Sequence, residues 1–146
     1  MTVVAEILKS KPDAAVHSIA PSASVLDALK SMAQLRIGAL LVMEGKDIVG
    51  ILTERDYARK IALMGRTSLT TLVSDVMTTA VMYVQPTQSS EECMALMTQN
   101  RLRHLPVVDD GMVIGMISIG DLVKDIISEQ QFIIEQMKHY ISGGGR

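Results

Sequence analysis

The sequence predicts an α+β fold built from two β-α-β-β-α units, with a long helix at the C-terminus. Three observations predict it. The chain repeats itself at an offset of 65 residues, pairing Val16 with Val81, Pro21 with Pro86, Ser24 with Ser89, Met32 with Met97, Leu40 with Leu105, Val42 with Val107 and Gly50 with Gly115. No gap is needed from residue 16 to residue 59, so an internal duplication decides the architecture. Within each copy, apolar runs of strand length alternate with stretches of helical spacing. In both copies, finally, an apolar run ends in a hydroxyl residue with a carboxylate three residues on: Gly50-Ile-Leu-Thr53-Glu-Arg-Asp56 and Gly115-Met-Ile-Ser118-Ile-Gly-Asp121. That spacing is a capping box and marks a helix start.

In chain order, Thr2 to Lys9 reads as a short helix with Val3, Val4, Ile7 and Leu8 apolar. Its counterpart is Leu72 to Met77, at an offset of 69 rather than 65, so the first copy carries four extra residues in a loop around Pro12 to Ala15. Val16 to Ala20 and Val81 to Gln85 alternate like short strands, each ended by a proline. Ser24-Val-Leu-Asp27 and Ser89-Ser-Glu-Glu92 then open helices whose apolar stripes hold Val25, Ala28, Leu29 and Met32, and Cys93, Met94 and Met97. The runs Gly38 to Met43 and His104 to Val108 read as buried strands. Glu44 to Asp47 and Asp109 to Gly111 are turn signals that make each run a hairpin with Ile48 to Leu52 or Val113 to Ile117. Pro106 cannot donate a ladder hydrogen bond, which places it at an edge or in a strand that starts late. The last helix of copy one, Asp56 to Met64, should stop at Gly65. Its partner keeps apolar residues from Asp121 to about Ile141, longer than one unit can cover. A homodimer contact is the expected use of that surplus, and the tail Gly143 to Arg146 is expected to fray.

Composition narrows the function. With 146 residues, 48% of them hydrophobic, the chain can bury a sizeable core. The formal charge of −2, with three tyrosines, one phenylalanine and no tryptophan, argues against a nucleic-acid surface, which needs basic stripes or stacking rings. No apolar stretch approaches the roughly 18 residues of a membrane span, and no signal-peptide pattern is seen. A soluble cytoplasmic protein is expected. Cys93 aligns with Ala28 on an apolar helix face and reads as a buried small residue. The three histidines, His17, His104 and His139, are scattered. No His/Cys/carboxylate cluster has metal-ligand spacing, no serine has an evident base partner and no glycine-rich phosphate loop is present. Neither catalysis nor a bound metal is expected.

With this order of elements, the chain resembles a tandem pair of CBS domains, the module named after cystathionine β-synthase, and in particular the small stand-alone bacterial type. The residues that carry the resemblance are Ile37-Gly38-Ala39-Leu40-Leu41-Val42, Gly50 to Asp56, Arg103-His104-Leu105-Pro106-Val107 and Gly115 to Asp121. It places CBS domain 1 at residues 12–69, CBS domain 2 at 75–131, and a C-terminal helix extension with a flexible tail at 132–146. The resemblance implies a pseudo-twofold pair whose clefts, between the two units, bind adenosine-containing ligands such as AMP, ADP, ATP, NAD or S-adenosylmethionine. Carried over to this sequence, Asp56 and Asp121 would accept hydrogen bonds from ribose hydroxyls, and Thr53 and Ser118 would bond ribose or phosphate. Carboxylates accept well from vicinal hydroxyls, and a helix start favours phosphate. Arg55, Arg103 and His104 are candidates for phosphate contacts, with Arg36 and Arg101 weaker ones. Ile37, Gly38, Ala39, Val84 and Leu102 are candidates for the adenine slot. All of these residues have a purely structural reading as caps, solvated charges or core.

The copies differ where phosphates would lie: Arg103 and His104 stand opposite Gly38 and Ala39, and Gly120 stands opposite Arg55. Two unequal sites are expected. The function expected from these signs is a non-catalytic sensor of cellular energy state that binds an adenosine nucleotide and signals to an unidentified protein partner. The alternative is a scaffold or partner-binding dimer with vestigial ligand sites.

Overall fold

The structure is a computed structural model that describes residues 2–13 and 15–142. The elements run α1 (Val4–Ser10), β1 (Ser18–Ile19), α2 (Val25–Leu35), β2 (Ala39–Glu44), β3 (Asp47–Thr53), α3 (Glu54–Asp56), a π-helix (Tyr57–Ala62), α4 (Val73–Val76), α5 (Ser90–Asn100), β4 (His104–Asp109), β5 (Met112–Ser118) and α6 (Ile119–Ser142). They gather into two compact units. Among the described residues, the first holds 15–83 and 110–114 and the second holds 2–13, 84–109 and 115–142. The expected loop around Pro12 to Ala15 carries no helix or strand where it is described, residue 14 lying outside the described residues. The tail from 143 to 146 also lies outside them.

In the first unit, β1 runs parallel to β2, with Ser18 opposite Leu41 and Ile19 opposite Val42. β2 and β3 form the expected hairpin, with Ala39 opposite Thr53 and a bulge after Val42. The turn is Gly45-Lys46, and Gly45 takes φ 60°. Ser24 caps α2 by accepting from Asp27 N at 3.1 Å. The core joins Val25, Ala28 and Met32 of α2 to Leu40, Val42, Leu52 and Ile61, and to Val73 and Val76 of α4. Gly50 is required where α4 ends, because a Cβ there would stand 2.6 Å from Met77 Sδ and 3.0 Å from the Thr78 carbonyl.

The second unit repeats this plan with α1 in the place of α4. Val4 and Ile7 of α1 lie in one core with Val84, Cys93, Met97, Leu105, Val107, Ile117 and Leu122. Leu8 closes over Gly115 as Met77 closes over Gly50, 2.8 Å from the position of a Cβ. Residues 69 apart thus do the same work, as the offset predicts. Ser89 and Glu92 complete a capping box on α5. The turn between β4 and β5 is Asp110-Gly111 with φ 51° and 78°, the left-handed pair that a two-residue hairpin needs. Cys93 is buried, and burial with the neighbouring Glu92 carboxylate pushes its thiol up to about 11.

Three elements depart from the sequence reading. The strand expected over Val81 to Gln85 shrinks to one parallel bridge, Val84 to Val107. In the first unit Leu41 N donates to the His17 carbonyl at 3.3 Å; Pro106 occupies the matching position and has no N–H. The ladder there keeps only Val84 N to Pro106 O and Val108 N to Val84 O, at 3.0 and 2.9 Å. The strand expected over Val16 to Ala20 is also shortened, to the two residues Ser18 and Ile19. The helix expected over Asp56 to Met64 is a single α turn followed by the π-helix, with Leu63 N bonded to Ala58 O and Arg66 N to Ile61 O. The wider winding sets Ile61 in the core while Lys60 Nζ reaches the Val76 carbonyl at 2.9 Å. Its counterpart α6 stays regular for 24 residues, about 36 Å at 1.5 Å per residue.

Candidate functional site

Each unit carries one polar corner where its hairpin turns into a helix. In the first unit, Thr53 N donates to Asp56 Oδ2 at 3.0 Å, and Asp56 N returns the bond to Thr53 Oγ1 at 3.1 Å. In the second, Ser118 N donates to Asp121 Oδ2 at 2.8 Å, and Asp121 N to Ser118 Oγ at 3.1 Å. These reciprocal bonds satisfy two donors at each helix start and lock both carboxylates in place. A further matched bond ties each corner to the residue just before β2 or β4: Glu54 N to Gly38 O at 3.1 Å, and Ile119 N to Arg103 O at 2.8 Å. The backbone geometry of the two corners is therefore the same.

Their side chains are not. Asp56 Oδ1 accepts from the Thr78 hydroxyl at 3.3 Å and pairs with Lys60 Nζ at 3.3 Å. Thr78 is delivered by a backbone bridge to Ile51, bonded in both directions at 2.9 Å. In the second unit Lys11 Nζ pairs with Asp121 Oδ2 at 3.0 Å and donates to the Met116 carbonyl at 2.7 Å. Lys60 comes from the π-helix that continues from its carboxylate's short helix, four residues on. Lys11 comes from the segment after α1. The residue matching Lys60 is Asp125, whose buried Oδ2 has no hydrogen-bond partner.

His104 opens β4 beside this second corner and is half-buried. Burial, then the Lys11 ammonium, hold its pKa below the usual imidazole value; Asp121 pulls the other way, and Arg103 adds to the depression. Arg103 and Arg55 are exposed, and so is Gly120, which stands opposite Arg55. Among the adenine candidates, Ala39 is buried and faces Thr53 across the hairpin, with Gly38 and Ile37 half-buried just before it. Val84 and Leu102 belong to the other unit: Val84 is enclosed in its core, and Leu102 packs against that core. Arg36 and Arg101 are exposed and take left-handed conformations (φ 57° and 55°) as the C-caps of α2 and α5.

Thr78, Lys60 and Lys11 were not among the sequence candidates. Lys60 could have been found from its i,i+4 spacing to Asp56. Thr78 and Lys11 leave no local signal, because long-range packing brings them in.

Among the described residues, no group of three or more His, Cys, Asp or Glu side chains stands close enough to hold a metal ion. No helix among them is long and apolar enough to cross a membrane.

The duplicated corners on duplicated cores agree with a comparison to protein families, in which the CBS domain matches twice, over residues 4–63 and 73–128. The chain belongs to the CBS-domain family. It is a CBS domain pair of the regulatory, signal-transduction type, and the first match starts at α1, the second at α4, in line with the 69-residue offset. The pair is 41% identical to the mitochondrial CBS domain-containing protein CBSX3 of Arabidopsis thaliana, over 98% of this chain and 73% of that protein. It is similar in structure to a signal-transduction CBS protein of Burkholderia ambifaria, with TM-score 0.86 and 56% identity over 88% of this chain and 96% of that one. It is also similar to the CBS domain pair of protein MJ0100, which was solved in complex with 5′-methylthioadenosine and S-adenosyl-L-methionine. There the TM-score is 0.74, with 26% identity over 88% of this chain and 98% of the other.

Proposed function

We propose that this CBS pair is a non-catalytic regulatory module that binds an adenosine-containing ligand, such as AMP, ATP or NAD, at the Thr53–Asp56 and Ser118–Asp121 corners. One observation carries the reading: two half-buried carboxylates, each locked by the same reciprocal hydroxyl–carboxylate cap, recur in duplicate. A locked carboxylate accepts bonds from the vicinal hydroxyls of a ribose without first losing side-chain entropy. The adenosine ligands bound by the MJ0100 pair support the choice of class. The ligand acts by favouring one arrangement of the protein over another, which requires unequal affinity for the two.

A second reading is favoured by α6. Val123, Ile127, Phe132, Ile133, Ile134, Met137, Tyr140 and Ile141 on this helix are all exposed, Phe132 at 64% and Tyr140 at 77%. An apolar stripe of that length suits burial against a second copy, so a homodimer joined through α6 is part of the proposal. Should the corners bind nothing, this face makes the protein a scaffold or partner-binding dimer.

The test is a dye-based thermal-shift panel with AMP, ADP, ATP, NAD and S-adenosylmethionine, and GMP as control. A ligand at 100 times its Kd adds about 2.7 kcal/mol, a shift of several degrees for a chain of this size. An adenosine-selective shift that falls in Asp56→Ala and Asp121→Ala is expected. No shift with any of them, on protein shown free of co-purified nucleotide, moves the assignment to the scaffold.

A further inference from the structure

Lys11 and Lys60 neutralise equivalent carboxylates in unlike ways. Lys60 is 42% exposed and sits beside Asp56, which keeps the neutral Thr78 hydroxyl as a second partner. Like Lys11, Lys60 also donates to a backbone carbonyl, that of Val76 at 2.9 Å, so the two differ in exposure: when a ligand hydroxyl takes Asp56, the more open Lys60 ammonium keeps that carbonyl and turns its other donors to water at little cost. Lys11 is 23% exposed, holds Asp121 at 3.0 Å and is fixed at its other side by the Met116 carbonyl at 2.7 Å. A ribose hydroxyl that displaces it leaves a half-buried ammonium without its anion, and a charge stripped of its partner in such a place is strongly unfavourable. A ligand that brings its own anion removes the difficulty, since the flexible lysine stem can carry the ammonium from Asp121 to a phosphate.

We infer that Lys11 is a built-in occupant of the Asp121 corner and makes that corner selective for a phosphorylated adenosine over the uncharged nucleoside, whereas the Asp56 corner accepts both. The inference rests on the ligand reading given above and deepens it, assigning a ligand charge class to each corner. The nearby arginines do not set the corners apart, since Arg103 stands opposite Gly38 and Arg55 opposite Gly120, one at each corner. Asp125, whose buried Oδ2 has no hydrogen-bond partner and which lies one helical turn beyond Asp121, offers a competing acceptor.

The experiment is a titration of the full chain, labelled at its methionine methyl groups, with adenosine and with AMP, followed by NMR. Met116 reports on the second corner and Met77, next to Thr78, on the first. In the wild-type protein the Met116 resonance should give a Kd for AMP at least about tenfold below that for adenosine, about 1.4 kcal/mol. The Met77 resonance should give values within about threefold of each other. Lys11→Met should bring the Met116 ratio within about threefold and leave Met77 unchanged, and Lys11→Arg should keep the wild-type ratio. Equal affinities at Met116 in the wild type, the outcome expected if Asp125 takes up the ammonium, overturn the inference and need no variant. So does a preference for AMP that survives in Lys11→Met. In both cases ligand still binds, so the functional reading stands. If neither adenosine nor AMP moves either resonance, both the inference and the functional reading fall.

Discussion

The two polar corners share a backbone and differ in their side chains. At Thr53–Asp56 and Ser118–Asp121 the capping bonds agree within 0.2 Å, because i to i+3 bonds are closed by neighbouring residues and survive any change elsewhere. The partners that complete each carboxylate come from different parts of the chain: Thr78 and Lys60 in one unit, Lys11 in the other. The duplicated pair has kept its local geometry and diverged in its long-range contacts. On the proposed ligand reading, local geometry would hold the ligand and the remaining side chains would set its charge.

The glycines under the terminal helices give the largest expected contrast in stability. A Cβ at Gly50 meets both Met77 Sδ at 2.6 Å and the Thr78 carbonyl at 3.0 Å, whereas at Gly115 only the flexible end of Leu8 is in the way. Gly50→Ala should therefore cost about 2–3 kcal/mol and Gly115→Ala about 1 kcal/mol or less in urea unfolding. Equal costs would show that the α4 and α1 seats yield equally. Gly50→Ala should also move Thr78, and with it the first corner, while Gly115→Ala leaves that corner intact.

His104 gives a smaller, pH-dependent contrast. Its pKa is held down, first by burial and then by Lys11. As pH falls through about 6.5, the ordinary imidazole value, the unfolded chain takes up a proton that the folded chain refuses. Stability from this group is therefore full above that pH and is lost as pH falls toward the depressed folded value. His104→Ala, which restores the residue of the first copy, should flatten the stability curve as pH falls below about 6.5. An unchanged slope would place the proton uptake elsewhere.

Pro106→Leu gives the smallest effect. The new N–H can bond back to the preceding strand as Leu41 does to His17, while the unfolded chain gains freedom, so net stability should change by less than about 1 kcal/mol. The readout is hydrogen exchange. A protected amide at position 106 is expected, with the single Val84 bridge extended toward residue 82; an amide that exchanges like a free one would assign the short pairing to another cause.

The duplication, both hairpin turns, the capping boxes on Thr53, Ser89 and Ser118 and most of each core stripe were legible in the sequence. Each is written in residues a few positions apart, so periodicity and cap spacing suffice. The 69-residue offset also marked α1 and α4 as equivalents. What the sequence could not say is that α1 completes the core of the second repeat, more than 80 residues away, because an apolar stripe does not name the surface it will cover. Nor could spacing find Lys11, whose bond to Met116 spans 105 residues, or Thr78, 22 residues from Asp56. Pro106 predicts an edge position or a strand that starts late; β4 is an edge of its two-stranded sheet, and the missing donor leaves the segment beside it a single bridge. Sequence by itself determined the local devices, since the atoms that satisfy them are covalently near. Tertiary structure alone decided which distant charge meets which carboxylate, because that depends on where two packed helices end.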